Sequence, residues 1–82
     1  MDYRAALLEF VRDHLAPEPG MVTAYDQPLL SSGVIDSFAV AEILGFLEEE
    51  FGVAVSDDNV RLENLDTVEA IVINLVEPAV GS

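Results

Sequence analysis

Between Asp36 and Gly52 the chain can be little other than an amphipathic helix. Apolar residues recur at Val40, Ile43, Leu44, Leu47 and Phe51, the three- and four-residue steps that line one face of an α-helix. Asp36 stands where an N-cap carboxylate takes up the free amides of a first turn. Gly52 stands where a helix can end on a left-handed residue. A helix is therefore expected over residues 37–51, with Phe38, Ala41, Glu42, Gly45, Glu48 and Glu49 on its outer face. Ser37 is then its first residue, with the hydroxyl toward solvent. By itself an Asp-Ser pair at such a place is only a cap and decides nothing about function.

The rest of the chain offers shorter signals. Leu7, Phe10, Val11 and His14 follow helical spacing and predict a first helix over residues 3–15, with His14 at the edge of the core stripe. Residues 16–35 carry Pro17, Pro19, Pro28 and Gly33, which exclude a continuous helix. So long a connection needs anchors in a small domain, and Met21, Val22, Leu29, Leu30, Val34 and Ile35 are available; a short helical turn can interrupt it. Val53-Ala54-Val55 is an apolar link with no strand partner. Ser56-Asp57-Asp58-Asn59 predicts the start of a short helix over residues 57–64, and Thr67 caps a last helix over residues 67–76 that stops before Pro78. The tail from Ala79 is expected to be loose.

Eighty-two residues, 51% of them apolar, suit one domain with a modest core, here spanning residues 1–82. Charge is the strongest compositional signal: 16 acids stand against three arginines and no lysine, a net charge of −13. Such a surface repels nucleic-acid phosphate and anionic lipid, and steers the chain toward basic patches on other proteins. The competing explanation is that acidity merely aids solubility. The longest apolar run, residues 70–76, is broken by Asn74 and is too short to span a bilayer. The start Met1-Asp2-Tyr3-Arg4 lacks a secretory pattern. A cytoplasmic monomer is the expectation.

An enzyme active site is hard to assemble from these residues. There is no cysteine, so thiol chemistry and thiolate metal sites are unavailable. A nucleophilic serine needs a positioned base, and the only histidine, His14, lies across the long loop from Ser37. Asp57-Asp58-Asn59 lacks the glycine and terminal glutamate of an EF-hand loop, so no metal site is assigned. What remains is Ser37 as an exposed hydroxyl at a helix start, where free amides and the dipole favour negative charge.

The turn Gly33-x-x-Asp36-Ser37-Phe38, leading into a helix that ends Leu47-Glu48-Glu49-Glu50-Phe51-Gly52-Val53, closely resembles the acyl and peptidyl carrier protein family. The resemblance runs from the first helix to Val76. It implies an all-α fold, a small four-helix bundle with three main helices, one short helix and a long first loop packed on it. It also implies a non-catalytic protein whose Ser37 carries a 4'-phosphopantetheine arm, attached from coenzyme A by a phosphopantetheinyl transferase. The Mg²⁺ of that reaction belongs to the transferase. Acyl or aminoacyl cargo would ride on the arm as a thioester. A loading ligase or adenylation enzyme would put it there, and synthases, transferases or tailoring enzymes would use it in a biosynthetic pathway.

Two residues depart from the family pattern. Phe38 stands where leucine is usual, and Ala39 where an acid is common. Phe38 either contacts partners or packs on Leu30 or Ile35. Glu42, Glu48 and Glu49 either meet basic residues of partner enzymes or form a plain solvated face. Gly45, which costs stability in mid-helix, either leaves room for the arm or a partner, or is incidental. The spacing of Gly33 from Ser37 looks more like carriers of D-alanine or other aminoacyl groups than like fatty-acyl or polyketide carriers. An unmodified acidic helical adaptor is the alternative from a different class.

Overall fold

The computed structural model describes residues 2–80, and the regular structure among them is entirely helical. Asp2 opens the first helix, α1 (residues 3–15), by accepting the Ala5 N–H at 3.1 Å. α1 is α-helical over Tyr3–Phe10 and widens into a π-helical turn over Val11–Leu15, closed by the Ala16 N–H on the Val11 carbonyl at 2.9 Å. Leu7 and Val11, one turn apart, are fully buried. The second helix, α2, spans Ser37–Phe51 and buries Ala39, Ile43 and Leu47. Val40, Leu44 and Phe51 are half-buried, and all six residues assigned to the outer face are exposed.

Aromatic rings set the pairing of these two helices. Tyr3 meets Phe51 edge-on at 4.7 Å between centroids, and Phe10 stacks on Phe46 at 4.2 Å. Early residues of α1 thus face late residues of α2, so the helices are antiparallel. The C-terminal end of α1 consequently lies beside Ser37.

The helical structure in residues 16–36 is limited to the three-residue turn Pro19–Met21. Val22, Leu29 and Ile35 anchor this loop in the core, with Leu30 and Val34 half-buried. Met21, expected among the anchors, is exposed. It directly precedes Val22, and only one of the two neighbours can point inward as the chain leaves the turn.

The third helix is shorter than the expected 57–64. A 3-10 turn at Asp57–Asn59 is followed by extended backbone at Arg61 (φ −130°, ψ 149°), and α3 covers only Leu62–Leu65. Side chains explain the break. Arg61 Nε donates to the Asp58 carbonyl at 3.2 Å and Asn64 Nδ2 to the Asn59 carbonyl at 3.0 Å. Those carbonyls would otherwise accept backbone amides of a continuous helix.

The last helix, α4, corrects the expected stop at residue 76. It starts where Thr67 Oγ1 accepts the Ala70 N–H at 2.9 Å and runs over residues 68–80, through Pro78. Proline normally ends a helix, because its ring collides with the carbonyl four residues back. Here Val72–Val76 forms a π-helical turn, with the Glu77 N–H reaching back to the Val72 carbonyl. That wider turn takes up the collision just before the proline. Ala79 and Val80 are therefore helical rather than loose; the remainder of the expected tail lies outside the described residues. Val68, Ile71, Val72, Leu75 and Val76 fill the centre of the core from this helix.

Candidate functional site

Ser37 is exposed at the first position of α2, between two buried neighbours, Ile35 and Ala39. Those flanking residues hold the turn down while the serine stays outside. Asp36 Oδ1 accepts the N–H groups of Phe38 at 3.1 Å and Ala39 at 3.2 Å. Its carboxylate thus caps the helix through Oδ1. Phe38 is 84% exposed, so it does not pack on Leu30 or Ile35. At the far end Gly52 adopts φ 68°, and the Val53 N–H turns back to the Leu47 carbonyl at 3.1 Å.

The approach to Ser37 is a compact loop, residues 28–35. Gly33 reverses it at φ 82°, a conformation strained for other residues. Its N–H bonds the Leu30 carbonyl at 3.2 Å, and the Ile35 N–H bonds the Leu29 carbonyl at 3.2 Å. Asp66, at the junction of α3 and α4, grips this loop from below. Its Oδ1 accepts the N–H groups of Leu29, Leu30 and Ser31 at 3.2, 2.8 and 2.8 Å, and its Oδ2 accepts the Ser31 hydroxyl at 2.7 Å. Its backbone carbonyl takes the Leu29 N–H as well, at 2.6 Å. Burial pushes the Asp66 carboxyl up, but donation from Ser31, Leu30 and Leu29 outweighs it and holds the group below its ordinary value. No local sequence signal marks Asp66, because its partners lie 35 to 37 residues away.

An open groove between α1 and α2 starts beside the serine. Asp36, Phe38 and Glu42 form one wall and Phe10, His14 and Leu15 the other, around about 420 Å³. It continues toward Gly45, Phe46, Glu49 and Glu50. Asp36, Phe38, Glu42, Gly45 and Glu49 therefore share one flank, whereas Glu48 is exposed but does not line it. A Cβ added at Gly45 would meet nothing within 4 Å, so no neighbouring helix requires glycine there. His14 and Glu50 were not legible as groove residues, since only the Phe10–Phe46 stack reveals which sides of the two helices meet. The ion pairs among the described residues are Arg4–Glu77, Arg12–Asp13 and Arg61–Glu63. All three arginines are used there, and the acids of α2 have none.

A family model described as a phosphopantetheine attachment site matches residues 5–75, which include most of α1 and all of α2. The chain belongs to this family of carrier proteins. Its members bind 4'-phosphopantetheine covalently and act as the substrates of other enzymes. The carrier is also similar to a chain in the crystal structure of an engineered Bradyrhizobium japonicum glycine:[carrier protein] ligase complexed with carrier protein from Agrobacterium tumefaciens and ATP. The two superpose with a TM-score of 0.73 over 88% of this chain and 94% of that one, at 20% identity. At that identity the likeness establishes the fold. No curated protein matches significantly. No helix among the described residues is long and apolar enough to cross a membrane.

Proposed function

We propose that Ser37 is the residue that carries the arm, and that the cargo is an aminoacyl group loaded by an ATP-dependent ligase. The observation that carries the first half is the exposed hydroxyl at the first position of a 15-residue helix, inside the matched region. The residues present fit the group: the helix start favours a phosphodiester, and the buried Ile35 and Ala39 keep the attachment point fixed. The Ser37 oxygen attacks the pantetheine-bearing phosphorus of coenzyme A, the pyrophosphate P–O bond breaks and adenosine 3',5'-bisphosphate leaves. The hydroxyl proton goes to a base on the transferase, since Asp36 Oδ1 is engaged in capping. When bound, the arm supplies a thiol on which cargo is held as a thioester.

The aminoacyl reading is supported by the spacing of Gly33 from Ser37 and by the likeness to a carrier solved with a glycine ligase. Phe38, Glu42, Gly45, Glu48 and Glu49 form the face on which transferase and ligase would dock, their carboxylates unmatched by any arginine of this chain. Incubation with a phosphopantetheinyl transferase, coenzyme A and Mg²⁺ should add the mass of one arm to the wild type and none to Ser37→Ala. Uptake by Ser37→Ala, at Ser31 or Ser32 for example, would overturn the site. No uptake by either would leave the unmodified adaptor. Loading of the modified protein by amino-acid ligases, but not by acyl ligases, tests the cargo.

A further inference from the structure

We propose that Asp66 is a positioning residue for attachment: it holds loop 28–35 so that Ser37 is presented in a form the transferase can engage. The proposal rests on the reading of Ser37 as the attachment site. Its basis is the density of bonds converging on one side chain. A single carboxylate gathers three successive amides and one hydroxyl from a loop whose middle, Ser31 to Gly33, is exposed. From there the path to the serine is short and continuous. Leu29, held by both the side chain and the carbonyl of Asp66, accepts the N–H of Ile35, and Ile35 is the buried residue directly before Asp36-Ser37. Ser32 Oγ reinforces the same turn by donating to the Pro28 carbonyl at 2.6 Å.

Apolar packing fixes only the ends of this loop: Leu29 and Ile35 are buried in the core. Extending that packing over the residues between them would cover the surface next to Ser37. The carboxylate reaching from the α3–α4 junction holds the intervening backbone from inside and leaves Ser31, Ser32 and Gly33 exposed beside the serine. Bonds to an ionised carboxylate are stronger than neutral ones. The Asp66 side chain bonds Leu29, Leu30 and Ser31 and not the Ser37 hydroxyl. Its effect should therefore fall on recognition and not on the chemical step.

The test compares Asp66→Asn, Asp66→Ala and Thr67→Ala with the wild type in the full chain. Thr67 caps α4 next to Asp66 but makes none of the bonds to the loop, so Thr67→Ala reports simple destabilisation of the same junction. Asparagine keeps an acceptor for the amides and loses the charge, whereas alanine removes the grip. At temperatures where every variant is folded by circular dichroism, KM for arm transfer should rise in the order wild type, Asn, Ala. The rise should reach about tenfold for alanine while kcat stays within about twofold, and Thr67→Ala should behave as wild type. Equal KM values across the series, or a rise in Thr67→Ala matching that of the Asp66 variants, would overturn the proposal. Amide NMR of the unmodified protein gives a second readout that needs no transferase. The Ser37 and Phe38 signals should move with those of Leu30 and Ser31 in Asp66→Asn and hold still in Thr67→Ala. If Leu30 and Ser31 move while Ser37 and Phe38 do not, the grip is local and the proposal fails. A wild type that takes no arm would instead sink Ser37 as the site, and the NMR result would still judge the grip.

Discussion

The two ends of α2 are held in different ways. At the C-terminal end, Phe51 is wedged against Tyr3 and Phe46, with ring centroids 4.7 and 5.3 Å away, and Val53 is buried behind the left-handed Gly52. At the N-terminal end Leu29, Ile35 and Ala39 are buried as well, but two carboxylates are added: Asp36 caps the helix and Asp66 grips the preceding loop, while Ser37 and Phe38 stand in solvent. Apolar packing stabilises by covering surface; hydrogen bonds to a carboxylate fix backbone without covering it. The end that carries the proposed attachment site is the one where polar contacts supplement the packing.

Several substitutions would break or sharpen this contrast. The largest effect belongs to the polar end: Ser37→Ala should abolish arm uptake by intact mass while the melting temperature barely changes, because an exposed serine contributes within about 0.5 kcal/mol. At the packed side, Leu47 is fully buried, and Leu47→Ala should cost about 2–5 kcal/mol in denaturant unfolding. Its folded fraction should still accept the arm at the wild-type rate. A loss of uptake there would show that the two ends are not separable.

Charge reversal comes next. Replacing Glu42, Glu48 and Glu49 by lysine should slow modification roughly tenfold at low salt, mainly through association, with the difference shrinking as salt rises. Equal rates at low salt would reduce the acidic face to a solubility device. Acidification should then distinguish the ends directly. The Asp66 carboxyl is held below its ordinary value, so its contribution is present above the usual carboxylate range and is lost as pH falls through the lowered folded value. The stability gap between the wild type and Asp66→Asn should therefore close on acidification, while a gap due to Leu47→Ala should not depend on the Asp66 proton. The smallest effect is at Gly45. With open space around its Cβ, Gly45→Ala should raise stability by up to about 1 kcal/mol. Gly45→Leu should keep that gain yet slow loading, since residue 45 lines the groove that starts at the serine.

The contrast also separates what could be read locally from what could not. The span 37–51, its Asp36 cap and its Gly52 end follow from residues within one or two turns of each other. So does the exposure of Ser37, Glu42, Gly45, Glu48 and Glu49, whereas that of Phe38 stayed open until the structure showed it clear of Leu30 and Ile35. The break after Asn59 was not legible, because it depends on whether Arg61 and Asn64 spend their side chains on carbonyls or on water. The passage of α4 through Pro78 was not legible either. Proline forbids a regular helix, and nothing local announces the wide turn at Val72–Val76 that accommodates it.

By itself, then, the order of residues determined that the chain is helical, where the main helix begins, and that Ser37 heads it. Periodicity and capping act over three or four residues, and the chain carries that information wherever it folds. The tertiary structure alone decided which surfaces flank the serine. It brought His14 and Glu50 to the groove through the Phe10–Phe46 stack, and it placed Asp66 beneath a loop 35 to 37 residues earlier. Such contacts depend on how α1, α2 and the α3–α4 junction pack together. One carboxylate among 16 carries no mark of which amides it will meet.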